Sequence, residues 1–367
     1  MRILTLKQIA IIKLATSLFT AREFWYIQKK LKFYVFLLPN PKLKDMVNKK
    51  LHPLSYPTTL QQEITTALRS ITFEVWHWIV DNLMIVKWES EIIKIPLSWK
   101  SDGTINRIST ADMIIRSPDL AIETRFIHAC QYWCWNKINE FWETLSANEQ
   151  LFLYRKYVNK KHTIQYFKFF RARSSRRSCR LWSLKFKWTY GTMFNGVFDH
   201  LPSLKKQALE NKAVRSPHIP LARHCLLRMN AQRRMYMLQE YPYHVLRVCL
   251  FWPLQALFTD AASTVRDSLP NRSFLKLIHI IICQKILLGW RDYDYVDLLK
   301  TFWRESPIRC KEYVRGDTIS EILTVILEGR EFRTHIQGGV PRRYLTHSRT
   351  LIKNTMRCIK LTILRVN

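Results

Sequence analysis

Apolar positions along this 367-residue chain recur mostly at steps of three and four, the period of an amphipathic helix rather than of a strand. The clearest case spans 60–88, where Ile64, Leu68, Ile71, Val75 and Trp78 mark one face. Upstream, 3–19 and 22–38 read as two helices that end at the Pro39-Asn40-Pro41 breaker. The stretch 42–57 is basic and punctuated by proline, which predicts a linker. Residues 96–109 read as a loop that turns at Asp102-Gly103.

Cap signals extend the helical reading. Ser117-Pro118 supplies an N-cap and a first-turn proline for a helix running to about Trp133, and a further helix carries Ile138 to Trp142. Ser146 and Glu149 form a capping box ahead of Leu151. Further on, Ser273 predicts a helix over 274–288 closed by Gly289, and Asp292 or Asp294 caps the next through Trp303. Ser306-Pro307 opens another that stops at Gly316, while Thr318 and Glu321 read as a second capping box for a helix ending at Gly329. The pattern over 243–258 is helical, with Pro253 expected to kink or split it.

Two stretches echo each other. Cys134, Trp135, Ile138, Phe141, Trp142 and Tyr157-Val158 match Tyr295, Val296, Leu299, Phe302, Trp303 and Tyr313-Val314. A looser echo pairs Phe126-Ile127-His128 and Cys130-Gln131 with Leu277-Ile278-His279 and Cys283-Gln284. The dipeptide Phe-Trp also occurs at Phe24-Trp25 and Phe251-Trp252. Self-similarity of this kind marks helical repeats. With only 8 Gly available for tight turns, the expected fold is all-α: a solenoid-like array of short helical hairpins, irregular in places, that hides its tryptophans.

Charge divides the chain. The formal total is +31, but 51–149 and 288–329 carry −4 and −2, whereas 150–198 hold 12 basic residues and no acidic one. The expected organisation is basic N-terminal helices and linker over 1–57, a first module over 58–158, a basic aromatic-rich connection over 159–198, a second module over 199–329 and a basic tail over 330–367. A polycationic surface attracts nucleic acid, acidic membrane or acidic protein, and charge alone does not choose among them.

The 8 Cys residues are scattered through apolar patterns rather than paired at compact spacings, so the expectation is a reducing intracellular compartment, cytoplasm or nucleus. Lys7 and Lys13 interrupt the apolar run that a secretory signal needs, and an ordinary first helix is expected. No run of apolar residues reaches the length of a membrane span.

The sharpest candidate for chemistry is the segment 155–187. It offers Lys160, Lys161, Lys168, Arg171, Arg173, Arg176, Arg177, Arg180, Lys185 and Lys187, with Trp182 and other aromatics between them. Cations of this kind neutralise phosphates and aromatic faces stack on bases, which suits nucleic acid. The run from Arg171 to Arg180, which includes Ser174, Ser175 and Ser178, also reads as a nuclear-import signal or a phosphorylatable patch, and a solvated connecting loop fits as well. His128, Cys130 and Cys134 lack the second ligand pair of a structural zinc site, and His279 with Cys283 makes only two ligands, so both groups read as structural. Asp292, Asp294 and Asp297 read as helix-start acids rather than a calcium site. There is no Gly-rich phosphate loop, nucleophile elbow or paired-His zinc motif, so neither catalysis nor a cofactor is expected.

The stretches Phe126 to Trp142, Tyr241 to Asp260 and Phe274 to Val314 resemble uncharacterised spider proteins associated with short helical repeats. That family carries no assigned activity, so the resemblance implies an all-α array and no particular site residue. The leading expectation is a non-catalytic scaffold or adaptor for an acidic protein partner. The second is a nucleic-acid binder using 155–187.

Overall fold

A computed structural model describes residues 5–18, 23–24, 26–27, 35–38, 40–51, 57–82, 95–132, 135–158 and 202–329. The regular elements among these residues are all helical. In chain order they are α1 (Leu6–Leu18), α2 (Asn40–Leu51), α3 (Thr58–Asn82), α4 (Arg107–Arg116), α5 (Ile122–Tyr132), α6 (Trp135–Glu143), α7 (Ala147–Tyr157) and α8 (Ser203–Arg215). They continue as α9 (Ile219–Arg228), α10 (Ala231–Glu240), α11 (Pro242–Cys249), α12 (Phe258–Thr264), α13 (Asn271–His279), α14 (Tyr295–Glu305), α15 (Ile308–Arg315) and α16 (Ile319–Leu327). The tail over 330–367 lies outside the described residues.

The described residues fall into two compact units that are not linear in sequence. One draws on 37–70 and 213–329, the other on 5–36 and 71–212. In the second unit, Asn106 caps α4 by accepting from the Ser109 amide at 3.2 Å, and Ser146 and Glu149 form the expected capping box on α7. Phe126, Cys130, Ile138, Phe141, Trp142 and Leu153 join one buried cluster, with the rings of Phe126 and Trp142 5.5 Å apart. Ahead of α4, Trp99 and Ile105 pair across a turn at Gly103, whose φ is +76°. A Cβ at Gly103 would meet the Ile12 side chain at 2.9 Å, so both conformation and space demand glycine.

In the first unit the helices from α9 onward pack on near neighbours in sequence, with α10 on α11, α11 on α12 and α15 on α16. α11 contacts α9 and α13, α13 contacts α15, and α12 contacts α14. Phe258, Phe274 and Phe302 form its aromatic centre, with Phe302 4.7 Å from Phe274 and 5.1 Å from Phe258.

The stripe on α3 is as the period predicts: Ile64, Leu68, Ile71, Val75 and Trp78 are all buried. The echoed positions match only in part: Tyr157 and Val158 are half-buried, whereas Tyr313 is exposed and Val314 buried. Ile138 and Leu299 are buried, as are Phe141 and Phe302, but Trp142 is buried while Trp303 is only half-buried.

Four local expectations are corrected. The linker expected from residue 42 is instead helix α2, because Pro41 suits a first helical turn and Leu43, Val47 and Leu51 lay a buried stripe through the basic residues. Ser117 does not open a helix. It ends α4, its amide donating to the Ile114 carbonyl, and α5 begins only at Ile122. Ser273 is not a cap, since the extended Pro270 precedes Asn271 and its carbonyl accepts from the Ser273 and Phe274 amides at 2.9 Å. Thr318 makes no side-chain cap bond; its backbone is already helical, and Asp317 accepts from the Ile319 amide at 2.9 Å instead. After α13 the chain widens into a π-helical turn over Ile280–Ile286, which the apolar period does not distinguish from an α-helix.

Candidate functional site

Two concentrations of unusual chemistry lie in the first unit. One surrounds Lys285. The π-helical turn carries this lysine inward, and its side chain is fully buried. Its nitrogen lies 3.6 Å from the Trp290 ring centroid, 3.8 Å from that of Phe251 and 5.2 Å from that of Tyr295. It has no hydrogen-bond partner among the described residues. Burial pulls its pKa down to about 7, while Asp292 acts to raise it and Arg69 to lower it further.

Asp292 makes its bonds elsewhere, through Oδ2, while its buried Oδ1 has no hydrogen-bond partner among the described residues. It accepts from Ser70 Oγ at 2.9 Å and from Gln255 Nε2 at 2.7 Å. Tyr295 Oη donates to the Leu250 carbonyl at 3.2 Å. This corrects the reading of Asp292 as a helix-start acid: Asp294 caps α14, accepting from the Val296 and Asp297 amides. An amine that is half neutral near pH 7 has the chemistry of a nucleophile or base. Here three ring faces enclose it, so the arrangement works as a cation–π anchor joining Phe251, Trp290 and Tyr295.

The other concentration faces solvent at the start of α11. Pro242 opens that helix, and Tyr241 before it supplies no side-chain cap. His244 and Arg247 are three residues apart and Tyr243 and Arg247 four apart, so all three share a side of the helix. The rings of Tyr243 and His244 meet edge-on at 5.2 Å. Arg247 and Lys276 both approach the Tyr243 ring, at 6.0 and 5.3 Å, and Arg215 lies over Tyr241 at 5.2 Å. Arg247 also donates to the Ser216 carbonyl just beyond α8. Lys276 arrives on α13, which packs on α11.

Arg215 and Lys276 are exposed, while His244 and Arg247 are half-buried. His244 Nδ1 and Arg247 Nε have no hydrogen-bond partner among the described residues. Burial, then Arg247, Arg215 and Lys276 in turn, push the His244 pKa down to about 4. No carboxylate acts on His244 or Arg247, and none pairs with Arg215 or Lys276 among the described residues. Four basic side chains therefore converge with only two tyrosine faces to offset them. Such a cluster attracts an anion.

The other candidates carry less. A crevice beside Phe274 and Phe302 is rimmed by Arg266 and Glu305, which pair with each other at 3.2 Å. His128 is buried, with Nδ1 2.8 Å from the Thr124 carbonyl, and burial lowers its pKa to about 4. Burial likewise pushes the Cys130 thiol well above its usual range. His279 Nε2 faces Asp317 Oδ1 at 3.2 Å. No group of three His, Cys, Asp or Glu side chains is arranged to hold a metal among the described residues. No helix among them is long and apolar enough to cross a membrane.

The residues singled out from the sequence, Lys160, Lys161, Lys168, Arg171, Arg173, Arg176, Arg177, Arg180, Trp182, Lys185 and Lys187, lie outside the described residues, as does Cys134. Sequence reasoning missed both sites found here. Arg215, His244 and Lys276 sit on three different helices, and only the His244–Arg247 spacing within α11 was available as a linear signal. No protein-family model, curated protein or solved structure matches this chain.

Proposed function

We propose that this protein is a non-catalytic interaction scaffold whose helical surface docks an acidic protein partner. The observation that carries this reading is the cluster of Arg215, His244, Arg247 and Lys276, gathered at a solvent-facing helix start with no carboxylate paired to it among the described residues. Burial first, and then repulsion from Arg247, Arg215 and Lys276, hold the His244 pKa low. An anionic surface brought against the cluster would relieve that repulsion. The chain's net charge of +31 favours the same class of partner over long range.

The finer architecture is a solenoid-like array in the first unit. It is supported by contacts between alternate helices, α9 to α11 to α13 to α15 and α12 to α14, alongside those between sequence neighbours. Buried cysteines at 130, 225, 249, 283 and 310, none in a disulfide among the described residues, support a reducing compartment, cytoplasm or nucleus. A second reading, nucleic-acid binding through 155–187, rests on the 12 basic and no acidic residues of 150–198.

Cross-linking of the full chain to captured partners, mapped by mass spectrometry, separates the two. The scaffold reading expects cross-links from Lys276 to acidic protein segments that survive ribonuclease. Cross-links confined to 155–187 and abolished by ribonuclease would replace it with the second reading.

A further inference from the structure

Arg247, Lys276 and His244 gather on the Tyr243 ring, with Arg215 on Tyr241 two residues away, and such a cluster suits one compact and highly charged anion. A nucleic-acid backbone presents single charges at regular intervals and is met by a stripe of cations, usually with aromatic faces free for stacking bases. Here the tyrosine faces are already taken. Arg215 covers Tyr241, and Arg247 and Lys276 share Tyr243. Stacking of this kind holds the stems of the cations while N–H groups remain to donate to a ligand.

The donor set has the chemistry of an oxyanion site. Arg247 spends one guanidinium donor on the Ser216 carbonyl, and its Nε–H is buried from solvent with no partner among the described residues. Arg215 and Lys276 are exposed and add a second guanidinium and a mobile ammonium. His244 meets the Tyr243 ring edge-on at 5.2 Å and is neutral near pH 7. A dianion beside it would favour uptake of a proton, which gives the imidazole a further charged donor.

We propose that Arg215, His244, Arg247 and Lys276 form a binding site for a phosphate monoester, carried on a phosphorylated partner protein. The inference rests on the scaffold reading and deepens it, because it makes docking conditional on phosphorylation. A carboxylate carries one charge and two oxygens, which would leave two or more of the cations unanswered. A phosphate monoester carries close to two charges at neutral pH and three acceptor oxygens.

The test uses the full chain with four probes: inorganic phosphate, a phosphoserine peptide, its unphosphorylated twin, and a single-stranded RNA oligonucleotide. Calorimetry reads affinity, and NMR of the His244 imidazole reads the site directly. The expected results are binding of the phosphopeptide but not its twin, and an upward shift of the His244 titration with phosphopeptide or phosphate. Lys276→Ala and Arg215→Ala, both exposed positions, are each expected to weaken binding about tenfold. Lys276→Arg should restore most of it, and circular dichroism should be unchanged in all three.

Equal binding of the two peptides, or a His244 titration indifferent to phosphate, overturns the proposal. So does RNA binding that moves His244 and exceeds phosphopeptide binding, since the site would then serve phosphodiesters. If cross-links from Lys276 to an acidic partner persist after phosphatase treatment, the phosphate site fails while the scaffold reading stands. If those cross-links are absent altogether, both fail.

Discussion

The ammonium nitrogen of Lys285 lies 3.6 Å from the centre of the Trp290 indole, fully buried and without a hydrogen-bond partner among the described residues. A buried cation held by ring faces alone has its desolvation cost only partly offset. Replacing Lys285 with Met keeps an unbranched stem of similar size and removes the charge. Urea denaturation is expected to find Lys285→Met as stable as the parent, or more stable by about 1–4 kcal/mol. Trp290→Ala, by contrast, should cost about 3–5 kcal/mol. A clear loss of stability in Lys285→Met would mean the ring contacts outweigh desolvation.

The same lysine sets an alkaline slope. Its folded pKa is about 7 against 10.5 for the free side chain, so between those values the unfolded chain holds a proton that the folded chain has released. Stability therefore rises with pH across that window, and Lys285 adds no slope below it. Denaturation midpoints measured from pH 6 to 10 should rise in the parent and flatten in Lys285→Met. An identical slope in both would exclude Lys285 as its source.

His128 acts at the acid end. Burial places it at about 4 when folded, against 6.5 unfolded. On acidification the unfolded chain binds the proton first, so stability is lost as pH falls from 6.5 to 4, by on the order of 3 kcal/mol. A histidine NMR titration should find His128 still neutral at pH 5.

The two echoed tryptophans should not behave alike. Trp142 is buried against Phe126, and Trp142→Ala is expected to cost about 3–5 kcal/mol. Trp303 is half-buried, with its ring 6.2 Å from Phe274 in a tilted arrangement, and Trp303→Ala should cost about 1–3 kcal/mol. Equal losses in thermal melts would show that exposure does not govern the difference.

Gly289 has a φ of +69°, and a Cβ there would meet Asn40 Nδ2 at 2.7 Å. Asn40 also accepts from Arg69 at 2.7 Å, so it is not free to retreat. Gly289→Ala is expected to lower stability by more than 1 kcal/mol in urea denaturation. A neutral result would mean the Asn40 amide moves without cost.

Much of the fold was legible because helices are local. The Ile64-to-Trp78 stripe, the Ser146–Glu149 capping box and the Asp294 cap all depend on residues within a few turns of each other. Local reading failed where two signals competed. A proline and basic residues masked the buried stripe of α2, and Ser117-Pro118 offered a start signal at a place where α4 ends.

By itself the sequence determined that the regular structure among the described residues is helical, where some of the helices begin or end, and that the chain carries a net charge of +31. Only the tertiary structure decided which cations gather and which are sealed away. Arg215, His244 and Lys276 meet because three helices converge, and Lys285 is enclosed because a π-helical turn rotates it onto Phe251, Trp290 and Tyr295. The reason is physical: hydrogen bonds and caps act over one or two turns of chain, whereas desolvation and charge proximity depend on neighbours that linear spacing does not specify.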